Sequence, residues 1–148
     1  MSIPEVGKKI RVTVPSTTAN LGPGFDCLGA ALDLHNEFTF TRIEGGGDRF
    51  DLILDSTDGN HLRGGPENLV FRAAQKVWGS ANMDPFALEA RVKLAVPPAR
   101  GLGSSATAIV AGLIGANAIM NSPLSKDCLL YTSPSPRDVH LSRMPSSA

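Results

Sequence analysis

Leu88, Ala90, Val92, Leu94 and Val96 alternate with Glu89, Arg91 and Lys93. A period of two over Ala87 to Val96 predicts a strand with one buried face, and Pro97-Pro98 stops it. Three further segments read as strands. Arg11 to Val14 is a β-branched run ended by Pro15. Asn36 to Thr41 alternates polar and apolar residues, with Ala30 to Leu34 extended before it. Phe50 to Leu54 follows the turn Gly45-Gly46-Gly47-Asp48. Elsewhere the period changes to that of a helix. Leu69, Ala73 and Val77 share one stripe with Val70, Ala74 and Trp78, while Arg72, Gln75 and Lys76 fall on the other side. Gly79 occupies the place of a helix C-terminal glycine. A long helix of small and aliphatic residues is predicted from about Ser104 to Asn121. Ser122-Pro123 reads as the capped start of another. Ser16 to Gly29 and Asp55 to Pro66 read as loops. Together the elements predict an α+β fold without internal repeats.

The 148 residues suit one domain, and 42% hydrophobic content is enough to bury a core. Formal net charge is zero and basic residues do not cluster, which argues against nucleic acid as a partner. Met1-Ser2-Ile3-Pro4-Glu5 lacks the apolar stretch of a secretory signal. The apolar run from Ala106 to Met120 is too short for a membrane span and contains Asn117. Cys27 and Cys128 lack metal-ligand spacing and read as free thiols, with Cys27 a small buried apolar residue. A cytoplasmic protein is expected, without a membrane partner. Trp78 reads as core, and His35 and His61 as surface histidines.

Two loops hold the candidate chemistry. Pro97, Pro98, Ala99, Arg100, Gly101, Leu102, Gly103, Ser104, Ser105, Ala106 and Thr107 join the clearest strand to the longest helix. Glycines admit a ligand close to the backbone, and a helix N-terminus offers free N–H groups with partial positive charge, so this segment suits phosphate. Ser104 and Ser105 add hydroxyls for phosphate oxygens or Mg²⁺. An ordinary turn with a serine cap stays open on these residues alone. The loop is not a Walker A motif, and Ala106 stands where a dinucleotide fingerprint needs its third glycine. The second loop, Pro15 to Gly29, places Asn20 and Asp26 just past a strand. They suit a small polar substrate, although turn capping explains them as well.

The stretch Val12-Thr13-Val14-Pro15 through Asn20-Leu21-Gly22-Pro23-Gly24-Phe25-Asp26 resembles the first motif of the homoserine kinases, a branch of the GHMP small-molecule kinase family. Arg100-Gly101-Leu102-Gly103-Ser104-Ser105-Ala106 resembles that family's ATP loop, and Glu67-Asn68-Leu69-Val70 sits where a helix begins near the adenine. The resemblance runs from about Ile10 to Asp127. It implies the GHMP N-terminal fold, which is ribosomal protein S5 domain 2-like. It also implies ATP wrapped by residues 97 to 107, Mg²⁺ near Ser104 or Ser105, and Asn68 beside the base or ribose. Asn20 and Asp26 would face L-homoserine, with Asp26 either taking the hydroxyl proton or anchoring the amino group. The implied product is O-phospho-L-homoserine, on the route to threonine. A mevalonate-type or sugar kinase of the same family, and a nucleotide-binding domain without catalysis, stay open, as does a homodimer of a full-length enzyme.

From Cys128 to Ala148 the character changes. Serines and prolines dominate, and the apolar period is lost. This segment reads as a non-homologous tail beyond a domain of residues 1–127, either disordered or translated adapter sequence. The resemblance implies further parts that are missing here: an acidic Mg²⁺ ligand, a C-terminal glycine-rich motif, and arginines for the substrate carboxylate. A truncated chain without activity of its own is therefore expected.

Overall fold

The structure is a computed structural model that describes residues 2–24, 27–55, 68–95 and 101–133. Strand β1 (Lys9–Thr18) leads through a short 3-10 turn (Gly22–Gly24) to β2 (Ala30–Arg42) and β3 (Phe50–Leu54). Helix α1 (Leu69–Ser80) follows, then β4 (Leu88–Lys93), α2 (Ser104–Ile119) and α3 (Lys126–Thr132). The sheet order is β1-β2-β4-β3. Pairing is antiparallel except between β3 and β4, which run parallel. A parallel neighbour needs a crossover, and α1 supplies it. The predicted α+β class is the observed one.

One face of this sheet is apolar and carries the helices. Val12 and Val14, Phe38 and Phe40, Phe50 and Leu52, and Leu88, Ala90 and Val92 are all buried there. The opposite face is polar, with Arg11–Glu37 (3.6 Å) and Arg91–Glu89 (2.9 Å) pairs along it. Exposed pairs of this kind stabilise little, so the helix-covered face holds the fold. Phe71, Trp78 and Phe86 form an aromatic chain beneath α1, with centroids 5.9 and 5.0 Å apart. Helix α2 crosses α1 at Gly112, where an added Cβ would collide with the Val70 carbonyl. A turn later Gly115 lies flat against the Phe40 ring. Two small residues thus let α2 sit deep between sheet and helix.

Several sequence expectations need correction. Pro15 does not end β1. The register shifts between Pro15 and Thr17, and this irregularity carries the strand to Thr18. Residues 16–18 are therefore strand rather than loop, and Ala30 to Arg42 forms one strand instead of two. Gly79 lies inside α1. The left-handed residue is Asn82 (φ 49°), and its N–H bonds the Gly79 carbonyl while that of Met83 bonds the Trp78 carbonyl. The same closure ends α2 at Asn121 (φ 67°). Ser122 takes part in it (φ 57°), so it does not cap α3; Ser125 does, accepting from the Cys128 N–H. Helix α3 carries residues 128–132 of the segment set apart by composition, and Leu129 packs against the core. Cys27 is exposed rather than buried, in the turn that precedes β2. Trp78 is core as predicted. The loop expected over Asp55 to Pro66 falls almost wholly, and the tail from residue 134 wholly, outside the described residues.

Candidate nucleotide and substrate site

Two glycines shape the entry to α2. Gly101 and Gly103 have φ of 70° and 67°, and Gly103 is the N-cap, without a side chain of its own to cap the helix. The first-turn N–H groups, which have no partner within the helix, therefore receive no side-chain cap from this residue. Leu102 anchors the loop: its carbonyl accepts from the Thr17 N–H (3.3 Å), joining the loop to the end of β1. Gly103 packs so closely on Thr17 that a Cβ there would collide with the threonine hydroxyl. Only glycine fits both the backbone angle and the space. A cavity of about 220 Å³ opens over Gly101 to Ser105.

A second cavity, of about 240 Å³, adjoins the first turn of α2, with Ser104 and Ser105 on one side and Asn68 on the other. Its floor is apolar, formed by Leu52, Leu54, Leu69 and Leu94 among others. Asn68 caps α1, its Oδ1 accepting from the Val70 N–H (2.9 Å). Its amide group stays available to a ligand in that cavity. The arrangement offers an apolar slot ended by one carboxamide at one side and by a helix N-terminus with two hydroxyls at the other. That chemistry suits a flat heterocycle joined to phosphates.

Asn20 lies beside Gly101; a Cβ on that glycine would stand 3.4 Å from Asn20 Nδ2. The two loops therefore meet, as expected from the sequence. Asp26, Pro97, Pro98, Ala99 and Arg100 lie outside the described residues. Ala106 sits exposed on the first turn of α2. Thr107 requires a correction. It is buried, its hydroxyl donates to the Ser104 carbonyl (2.8 Å) and accepts from Asn36 Nδ2 (3.1 Å). With its proton committed, it has only a lone pair left, which repels phosphate oxygen. Thr107 holds the helix turn rather than a ligand. Asn36 was not singled out by sequence reasoning. The signal was there: a carboxamide at the inward position of β2 where Phe38 and Phe40 continue the pattern.

Mg²⁺ is partly accommodated. Ser104 and Ser105 offer hard oxygen ligands, but Mg²⁺ ordinarily takes one or two carboxylates as well. Among the described residues no group of three or more His, Cys, Asp or Glu gathers to supply them. Among the same residues no helix is long and apolar enough to cross a membrane.

The family model described as the GHMP kinases N terminal domain matches residues 68–134, which span Asn68, the glycine loop and α2. Residues 68–134 thus match the N-terminal domain of the GHMP kinases. It is 95% identical over 130 residues to a homoserine kinase of Prochlorococcus marinus (strain MIT 9301), a match covering 88% of this chain and 41% of that relative. Identity to a homoserine kinase of Parasynechococcus marenigrum (strain WH8102) is 72% over 130 residues, again 88% of this chain and 41% of that relative. The chain thus spans about two fifths of the length of these relatives. Among solved structures, the homoserine kinase of Cytophaga hutchinsonii superposes with a TM-score of 0.72 at 26% identity, over 89% of this chain and 42% of that one. A mevalonate kinase of Methanococcus jannaschii shares the fold, with a TM-score of 0.65 at 17% identity, over 85% and 45% of the two chains.

Proposed function

We propose that this GHMP domain is the nucleotide-binding part of a homoserine kinase, which transfers the γ-phosphoryl group of ATP to the side-chain hydroxyl of L-homoserine. The observation that carries the reading is the convergence of three features on the start of α2: the uncapped glycine loop, the apolar cavity ending at Asn68, and Asn20 beside Gly101. The high identity to homoserine kinases favours this reading over a mevalonate or sugar kinase. The N–H groups of Gly103 to Ala106 and the hydroxyls of Ser104 and Ser105 bind phosphate oxygens. Asn68 orients the base or ribose. Asn20 and Asp26 hold homoserine so that its hydroxyl lies in line with the phosphorus. Positioning and charge stabilisation of this kind supply most of the acceleration in phosphoryl transfer. Mg²⁺ would neutralise charge on the phosphates. A cytoplasmic protein is part of the same reading.

The chain lacks most of the length of its relatives, so the activity is tested in a chimera. Residues 1–127 replace the matching segment of the Prochlorococcus marinus homoserine kinase, and ADP release is followed with homoserine, mevalonate or galactose. Release dependent on homoserine alone is the expected result. Turnover with mevalonate or galactose, and none with homoserine, refutes the substrate assignment.

A further inference from the structure

The chain leaves the sheet after β4 at Ala95 and enters α2 at Ser104, and both stems of that crossing are tied to one side chain on a third element. Asn36, on β2, accepts from the Ala95 N–H through Oδ1 (3.0 Å). Through Nδ2 it donates to Thr107 Oγ1 (3.1 Å), whose own proton goes to the Ser104 carbonyl (2.8 Å). Asn36 is 2% exposed and Thr107 1%. The inward positions that follow on the same strand are Phe38 and Phe40, so an apolar residue at position 36 would continue the pattern. Burying a carboxamide costs free energy unless both of its ends are bonded. Here both are, and each bond goes to a different stem of the phosphate loop.

We propose that Asn36 is a positioning residue for the ATP phosphates, a clamp that fixes the separation and orientation of the two stems before nucleotide arrives. The inference rests on the nucleotide reading above and deepens it. With Ser104 and Thr107 held in place, residues 101–105 lose less freedom on binding phosphates, and that saving appears as affinity. The gain is confined to ligands that use the loop. Adenosine, which lacks phosphates, gains nothing from the clamp, whereas ATP does. General loosening of the domain, by contrast, weakens both ligands alike.

The test is calorimetric titration of the 148-residue chain with MgATP, and with adenosine in competition, for the wild type and three variants. Asn36→Leu removes both bonds, Thr107→Val removes the relay at nearly constant shape, and Thr107→Ser retains the hydroxyl. Urea unfolding of each protein sets the folded fraction. Asn36→Leu and Thr107→Val should weaken MgATP about tenfold (about 1.4 kcal/mol) while adenosine binding is unchanged. Thr107→Ser should stay within about twofold of wild type. Should Asn36→Leu fail to fold, the Thr107 pair carries the comparison alone. Parallel loss of ATP and adenosine, or undiminished ATP affinity in folded Thr107→Val, overturns the clamp while sparing the nucleotide site. A folded wild type that binds neither ligand overturns the nucleotide reading and the clamp with it.

Discussion

Replacing Gly103 by alanine tests the architecture of the loop directly, because two independent penalties meet at that position. The backbone sits at φ 67°, where a Cβ crowds the following carbonyl at a cost of about 1–2 kcal/mol. The new methyl would also stand 2.8 Å from the Thr17 carbonyl oxygen and closer still to the threonine hydroxyl. Neither the β1 backbone nor the loop can yield without breaking the Thr17–Leu102 hydrogen bond, and forced overpacking of this kind costs about 1–3 kcal/mol. The two penalties together come to about 2–5 kcal/mol. That is a large share of the roughly 5–15 kcal/mol by which a small domain is stable. Gly101→Ala is the internal control. Its φ of 70° carries the same backbone penalty, but among the described residues its Cβ would meet only Asn20 Nδ2, at 3.4 Å, an ordinary contact. Urea unfolding of the two variants should therefore separate them by about 1–3 kcal/mol, the contact cost alone. Equal midpoints would refute the argument, since they would mean that the loop does not bear on β1 through Gly103.

Four further outcomes are expected. Gly112→Ala should lower the thermal midpoint, because a Cβ collides with the Val70 carbonyl and stands 2.8 Å from the Ala73 Cβ; the cost is about 1–3 kcal/mol, and an unchanged midpoint would show a looser crossing of α1 and α2. Asn82→Ala should destabilise by about 1 kcal/mol in urea, whereas Asn82→Gly should be neutral or stabilising, because this residue closes α1 at φ 49°. In the chimeric kinase, Ser104→Ala or Ser105→Ala should depress turnover more than the homoserine Michaelis constant. Asp26→Asn should damage homoserine use and spare ATP binding; the opposite pattern would reverse the roles of the two loops.

The fold was legible wherever a single period ran undisturbed. β4 shows alternation strong enough to fix its buried face, although the strand ends at Lys93 rather than running on to Val96, and α1 shows a clear stripe. What the sequence obscured were the places where tertiary contacts override local signals. Proline at position 15 is a stop signal on its own, yet the irregular pairing beside it absorbs the missing donor and lets β1 continue. Gly79 is the obvious helix terminator, but Asn82 and Asn121 take the left-handed positions, because asparagine tolerates that region and Met83 and Met120 then fall into the core. Helix α2 is apolar around nearly its whole circumference, so periodicity fixed its length but gave no face; the face is set by Gly112 and Gly115, where close approach is possible.

The candidate site divides along the same line. Gly101, Gly103 and the two serines were readable as a phosphate-binding candidate because a glycine loop between a strand and a helix suits phosphate, with an ordinary capped turn left open until the resemblance was added, and Asn20 came with the motif that resembles the family's first. Their adjacency was expected only from the chemistry that the resemblance implies, which needs substrate beside the phosphates; local rules hid the route to it, since among the described residues 20 and 101 are brought together by the extension of β1 past Pro15 that those rules disfavour. Without residues 16–18 in the sheet, Thr17 would not meet Leu102 and Gly103, and the substrate loop would have no fixed relation to the phosphate loop. The irregularity at Pro15–Thr17 thus does positional work for both loops: it turns the end of β1 toward α2, and the hydrogen bond from Thr17 holds it there. Thr107 and Asn36 were misread or missed for a related reason. A threonine in a phosphate loop looks like a ligand, and an asparagine at the start of an alternating run looks like a polar surface residue. Only the burial of both reveals that they bond each other, and that the loop is shaped from behind by groups that never touch what it binds.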